Sequence, residues 1–198
     1  MSFPVVGVVG GGQLARMMAP AAIGLGVRLR VLAREATDSA AQVVPDVEVG
    51  DERDLEALRR FAKGCDVLTF DHEHVPTEHL RLLEREGVVV RPGPDALVHA
   101  QDKAVMRARL SELGVPCPRW AVVTSTEEIR AFGDEVGWPV VLKTPRGGYD
   151  GKGVRLVGAA DDAADWLESL GAGATLLAEE RVAFDRELAV LVARSPHG

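Results

Sequence analysis

Cysteine is scarce in this chain, with only Cys65 and Cys117 among 198 residues. The two lie far apart in sequence and match neither a metal-ligand spacing nor a disulfide framework. Cys65 opens an apolar run and reads as core, while Cys117 stands between Pro116 and Pro118 and takes no assigned role. No apolar run approaches the roughly 20 residues that a membrane-spanning helix needs. The N-terminus lacks the basic start and cleavage site of a secretory signal. A reducing, cytoplasmic setting is the default expectation. Positive charge is also in deficit: the formal net charge is −7. That argues against nucleic acid or an anionic membrane as partner, but allows a small anion in a local basic pocket. There is no internal repeat and no low-complexity segment.

Apolar residues make up 46% of the sequence, enough for a core in one large domain or two small ones. From Pro4 to about residue 113 the pattern alternates strand and helix. Strands are expected at Pro4–Val9, Val27–Ala33, Asp46–Val49, Asp66–Phe70 and Val88–Val90. Helices are expected at Gln13–Leu25, with Leu14, Met17, Met18, Ala21 and Leu25 on one side, and at Asp51–Ala62, Pro76–Glu86 and Asp102–Leu113. Such alternation implies a parallel sheet with helices on both faces. Gly114 stops the last helix, and Pro116 and Pro118 break the chain, so a domain boundary falls near 114–119.

The second part reads as α+β with an antiparallel sheet. Strands are expected at Trp120–Val123, Pro139–Lys143, Val154–Val157, Thr175–Ala178 and Glu187–Ala193, with a helix over Asp161–Leu170. Ser125 and Glu128 form a capping box at the start of another helix. Ser195-Pro196-His197-Gly198 looks like a hairpin turn with no returning strand, so the chain is expected to be a fragment.

Two glycine clusters carry the functional signal. Gly10-Gly11-Gly12-Gln13-Leu14-Ala15 follows the first strand, matches G-x-G-x-x-A, and has Glu35 where a ribose-binding acid would stand. Alone it predicts a nicotinamide-dependent oxidoreductase, but such turns also receive other phosphates or serve close packing. The second cluster, Gly147-Gly148-Tyr149-Asp150-Gly151-Lys152-Gly153, follows Lys143 and carries a lysine of its own. It is not a P-loop: Gly153 stands where Ser or Thr belongs, and a strand follows instead of a helix. It reads as a hairpin flap over phosphates. The acids Glu179, Glu180 and Glu187 lie downstream, where carboxylates could hold ribose hydroxyls and a strand edge could pair with adenine.

Lys103, Lys143, the GGYDGKG loop, Glu179-Glu180-Arg181-Val182 and Glu187 together resemble the ATP-grasp superfamily. The Gly10–Leu14 turn and Thr69-Phe70-Asp71-His72-Glu73-His74-Val75-Pro76 narrow this to the 5-(carboxyamino)imidazole ribonucleotide synthetase family. The resemblance covers essentially the whole chain. It implies a Rossmann-like pre-ATP-grasp domain at residues 1–114 and a first ATP-grasp lobe at 115–198. It implies ATP-dependent carboxylation of aminoimidazole ribonucleotide with bicarbonate, through carboxyphosphate, in purine biosynthesis.

The resemblance further implies that Lys103 and Lys143 contact ATP phosphates, and that Gly147, Gly148, Gly151 and Gly153 close over them. Glu179, Glu180 and Val182 would lie at the adenine hinge and Glu187 at the ribose. Gln13, Leu14 and Glu73 would bind the ribonucleotide, and Tyr149, Asp150 and Lys152 would face the substrate and the reactive intermediate. His99 stands where the family often has an arginine that contacts ATP. Magnesium is implied, with its acidic ligands expected after Gly198 and none within the chain; a homodimer is implied as well. The chain alone is expected to lack turnover. His72 and His74 share a strand face, but a structural role at the strand end is favoured over a metal site. Other readings are a formate-using glycinamide ribonucleotide transformylase, a biotin carboxylase, and a non-enzymatic nucleotide-binding remnant.

Overall fold

The computed structural model describes residues 3–148, 151–171 and 173–195. Packing divides the chain into two units, Met1–Met106 and Arg107–Gly198. The division falls inside a helix, ahead of the 114–119 boundary drawn from Gly114 and the prolines. The Arg107 side chain is paired with Glu179, far along the second unit, which draws the end of that helix into it.

In the first unit, β1 (Val5–Val9) is apolar throughout and lies inside a four-stranded sheet. It pairs in parallel with β2 (Arg28–Ala33) and β4 (Val67–Phe70), and β3 (Val47–Val49) extends the sheet beyond β2. The parallel order β3-β2-β1-β4 needs three crossovers, supplied by α1 (Gln13–Leu25) between β1 and β2, by the non-helical segment 34–46 between β2 and β3, and by α2 (Leu55–Ala62) between β3 and β4. Gly7 lets the thiol of Cys65 approach: a Cβ there would lie 2.6 Å from its Sγ. Burial pushes that thiol's pKa up, and it donates to the Phe61 carbonyl at 3.3 Å, as suits a core cysteine.

Several expectations need correction here. The packed side of α1 is Ala15, Met18, Ala19 and Ala22, while Leu14, Met17 and Leu25 are 59–77% exposed. The helix lies close on the sheet through small residues, and hydrophobic spacing does not register size. The helix expected from Asp51 begins only at Leu55, because Asp54 caps it by accepting from the Glu56 N–H at 2.9 Å. Glu52 is instead buried and paired with Arg34 at 2.5 Å. The strand expected at Val88–Val90 is a single parallel bridge, Leu68 to Val90. α3 (Thr77–Arg85) is followed by α4 (Pro94–Gln101), a helix the pattern did not suggest, and α5 (Lys103–Glu112). Gln101 ties α4 down by donating to the Glu73 and Val75 carbonyls at 2.9 and 2.8 Å.

In the second unit, β5 (Trp120–Val123), β6 (Val140–Lys143), β7 (Val154–Val157) and β8 (Leu176–Glu180) form an antiparallel sheet of order β5-β8-β6-β7. α6 (Thr126–Val136) starts where the Ser125 hydroxyl accepts from the Glu128 N–H at 3.2 Å. Glu128 in turn accepts from the Thr124 N–H at 2.6 Å. α6 and α7 (Ala164–Leu170, after a short 3₁₀ turn) belong to a core with Val123, Val140, Leu142, Leu176 and Ala178. Glu187–Ala193 forms no strand. Among the described residues it has no neighbouring strand to pair with, and Leu188, Val190, Leu191 and Val192 are 79–95% exposed. No helix among the described residues is long and apolar enough to cross a membrane.

Candidate functional site

The candidate site of the second unit follows from strand alternation. Val140, Leu142 and Ala178 point into the helix-covered core, so Val141, Lys143 and Glu179 point to the opposite face. Register sets Trp120, Glu179, Val141 and Leu156 in one row across the four strands. Lys143, two residues beyond Val141, reaches Glu179 diagonally. Arg107 reaches the same carboxylate from α5. Arg107, Val141, Lys143, Leu156 and Glu179 line a cavity of about 650 Å³, whose wall is completed by the extended segment Arg181–Phe184. Apolar Val141 and half-exposed Leu156 offer a surface for a flat ring.

Glu179 is the electrostatic centre of this cavity, with a side chain only 4% exposed. One carboxylate oxygen accepts from Arg107 Nε at 2.5 Å, and the other pairs with Lys143 Nζ. Burial alone would push its pKa up, yet the hydrogen bonds from Lys143 and Arg107 outweigh that and hold it below the usual range. Glu180, next along β8, faces the other way. Arg119 occupies its carboxylate through its backbone N–H at 2.8 Å and Nε at 2.9 Å. Glu180 therefore offers the cavity its backbone and not its acid.

The glycine loop adopts left-handed backbone at Gly147, Gly148, Gly151 and Gly153. At Gly148 and Gly153 space is closed as well: a Cβ would lie 2.4 Å from the Lys152 carbonyl or 2.5 Å from Thr144 Oγ1. The loop is pinned at its base, where the Thr144 N–H donates to the Gly153 carbonyl at 2.9 Å. Lys152 is exposed on it, and Tyr149 and Asp150 lie outside the described residues. Val182 lines the cavity; Glu187 is exposed and does not.

The first glycine turn is organised differently. The Gly12 N–H donates to Asp71 Oδ2 at 2.7 Å, so a carboxylate of the protein already occupies the helix N-terminus. A Cβ at Gly10 would lie 1.6 Å from Asp71 Oδ1, and one at Gly11 would lie 2.8 Å from Ala33 Cβ. The glycines are spent on close packing, and a pyrophosphate would meet negative charge. This removes the basis for the nicotinamide reading. A cavity of about 370 Å³ beside the turn is lined by Gly10–Gly12, Arg34, Asp38, Ser39 and His72, among others. Gln13 stands next to it, accepting from the Ser39 hydroxyl at 2.8 Å, whereas Leu14 and Glu73 do not line it. His72 Nδ1 accepts from the His74 N–H at 3.2 Å, which fits a structural role. Lys103 opens α5 behind Asp102, whose carboxylate caps the Ala104 N–H at 3.0 Å. His99 lies on α4 with a buried Nδ1 lacking a hydrogen-bond partner.

Among the described residues no three His, Cys, Asp or Glu side chains converge to hold a metal ion. Both oxygens of Glu179 are already taken by cations, so these residues do not fit magnesium. Arg107 and Arg119 went unnoticed in the sequence: Arg107 meets its partner 72 positions away and Arg119 61 positions away, so no local spacing signals either pair.

Residues 3–101 match the family model of the ribonucleotide synthetase preATP-grasp domain. The chain belongs to this family. Residues 108–198 match the ATP-grasp domain model. The chain is 57% identical over 196 residues to N5-carboxyaminoimidazole ribonucleotide synthase of Mycobacterium tuberculosis, covering 98% of itself and 46% of that relative. An Aspergillus clavatus carboxyaminoimidazole ribonucleotide synthase structure complexed with ATP superposes with TM-score 0.82 at 32% identity, over 93% of this chain and 48% of that one. The same enzyme with ADP and 5-aminoimidazole ribonucleotide gives TM-score 0.81 at 30% identity, with the same coverage. The chain thus spans about half the length of the relatives it matches. That covered half holds both the glycine turn of the first unit and the Glu179 cavity of the second.

Proposed function

We propose that this chain supplies part of an ATP-dependent ligase that carboxylates 5-aminoimidazole ribonucleotide with bicarbonate in purine biosynthesis. The observation that carries the reading is the buried Glu179 held between Lys143 and Arg107 on an open sheet face, beside the apolar Val141 and Leu156. A nucleotide requires this pairing of a ring surface with fixed positive charge. The similarity to synthases solved with ATP, and with ADP and the ribonucleotide, supports the same reading.

In the proposed reaction a bicarbonate oxygen attacks the γ-phosphorus of ATP, and ADP leaves. The exocyclic amine of the ribonucleotide then attacks the carbonyl carbon of the carboxyphosphate, forming the C–N bond and expelling phosphate. The first step is phosphoryl transfer, governed by positioning and positive charge. Lys103 and Lys143 supply charge; the magnesium that such a ligase would use finds no ligand set among the described residues. The Gly147–Gly153 flap shields the intermediate from water, and Tyr149, Asp150 and Lys152 are assigned to act on the substrate and that intermediate. Gln13, Leu14 and Glu73 hold the ribonucleotide. Val182 and the backbone of Glu180 take the adenine edge, Glu187 the ribose, and His99 assists at ATP. The domain limits 1–114 and 115–198, a homodimer and a cytoplasmic setting complete the proposal.

Calorimetric titration of the 198-residue chain with ADP is the direct test: saturable binding that Lys143→Met weakens is expected. The chain alone is expected to release no phosphate from ATP when bicarbonate and the ribonucleotide are added. No binding of ADP or ATP at millimolar concentration would sink the nucleotide reading.

A further inference from the structure

The geometry points to Arg107 as a second phosphate-binding cation of this cavity, with its Nη1 and Nη2 groups directed to the nucleotide while Glu179 holds its Nε. This inference rests on the nucleotide reading above. Arg107 lines the cavity with Lys143 and Glu179, and its side chain is 18% exposed. Among the described residues the only hydrogen bond of its guanidinium is the one from Nε to Glu179 Oε1, at 2.5 Å. The two Nη groups, with four of the five N–H donors of an arginine, have no hydrogen-bond partner among the described residues. A guanidinium fixed through Nε by a buried carboxylate has its outer edge pre-aimed, and that edge matches two oxygens of one phosphate.

The charge balance leads to the same place. One carboxylate faces two cations, so the cluster is left with an excess positive charge. Its members are 4%, 18% and 24% exposed for Glu179, Arg107 and Lys143. Such a charge is costly away from bulk water unless an anion joins it. Lys143 offers the anion a point charge on one side of Glu179, and Arg107 offers a fork on the other. Glu179 on this view is a template that holds both cations apart and in place.

The test compares ADP, AMP and adenosine as ligands for the wild-type chain, R107M and R107K, by calorimetry. R107M leaves Glu179 paired with Lys143, so no buried charge is stranded and the fold is expected to survive. Its ADP affinity is expected to fall at least tenfold, with a comparable loss for AMP and none for adenosine. R107K keeps the charge without the fork and is expected to recover only part of the loss. Unchanged ADP affinity in R107M, or an equal loss for adenosine, would overturn the assignment while leaving the nucleotide reading intact. Failure of the wild-type chain to bind ADP would instead overturn that reading, and this inference with it. Circular dichroism of R107K checks that the comparison is made between folded chains.

Discussion

At Gly10–Gly12 the chain turns against its own carboxylate, whereas at Gly147–Gly153 a side chain at two of the four glycines would meet nothing within 4 Å. Both stretches are glycine-rich, both follow a strand, and both look in sequence like cradles for phosphate. In the first, Asp71 fills the space and accepts the Gly12 N–H that an anion would need. In the second, Gly148 and Gly153 pack the base of the hairpin while Gly147 and Gly151 are set only by their backbone angles. The carboxylates of the two units differ in the same sense. Asp71 answers a backbone donor and leaves Oδ1 without a hydrogen bond, while Glu179 answers two cations. Glycine count therefore reports freedom of the backbone, and what fills that freedom is decided elsewhere in the chain.

The largest effect that would break this comparison is expected at Gly10. Gly10→Ala combines a backbone φ of +114° with a Cβ 1.6 Å from Asp71 Oδ1. A loss of about 4 kcal/mol or more is expected, at the exceptional end of single substitutions. Urea denaturation measures it, and a loss below about 1 kcal/mol would mean that Asp71 is not locked against the turn. Glu179→Ala comes next, because it strands Lys143 and Arg107 together. About 3 to 5 kcal/mol is expected from the same assay, and a near-neutral result would show that the two cations reach solvent.

Within the flap, Gly153→Ala is expected to cost more than Gly151→Ala. The latter meets only its φ of +78°, worth about 1 kcal/mol, while the former also meets Thr144 Oγ1 at 2.5 Å. Equal melting temperatures for the two variants would remove the distinction between base and tip. The smallest effect is on pH dependence. The pKa of Glu179 is depressed in the folded chain, so its contribution is fully present above the unfolded value of about 4.3. It is lost as pH falls through the lower folded value. Urea midpoints measured from neutral pH downward should therefore fall less steeply in Glu179→Gln than in wild type, and parallel curves would argue against the coupling.

Much of the first unit was legible because its strands are short apolar runs and its helices carry caps, as at Gly12 and Gly26 around α1. The sheet class of each unit was legible for the same reason. Less legible was anything decided by size or distance. α1 packs through alanines because the sheet lies close beneath it. α4 is short and begins with Pro94, a helix start that the surrounding glycine and prolines disguise. The 187–193 segment alternates like a strand, but pattern cannot supply a neighbour. In the site, Lys143 and Glu179 stood out in the sequence because each lies at or next to the end of an apolar run beside a recognisable motif, and the structure brings the two together. Arg107 was not, since an arginine on a charged helix resembles many others until β8 is laid across from it.

Among the described residues β8 comes last in sequence of the second unit's strands but sits between β5 and β6 in its sheet. During synthesis β5, β6 and β7 emerge first, and β5 and β6 have no shared neighbour until β8 arrives. The long loop to be closed makes this a late event, governed by non-local contacts. Glu179 rides on that strand, so the partner that gathers Lys143 and Arg107 enters only when β8 joins β5 to β6. Joining β5 to β6 and assembling the Glu179 cavity are therefore expected together, and a chain stopped before Leu176 would possess neither.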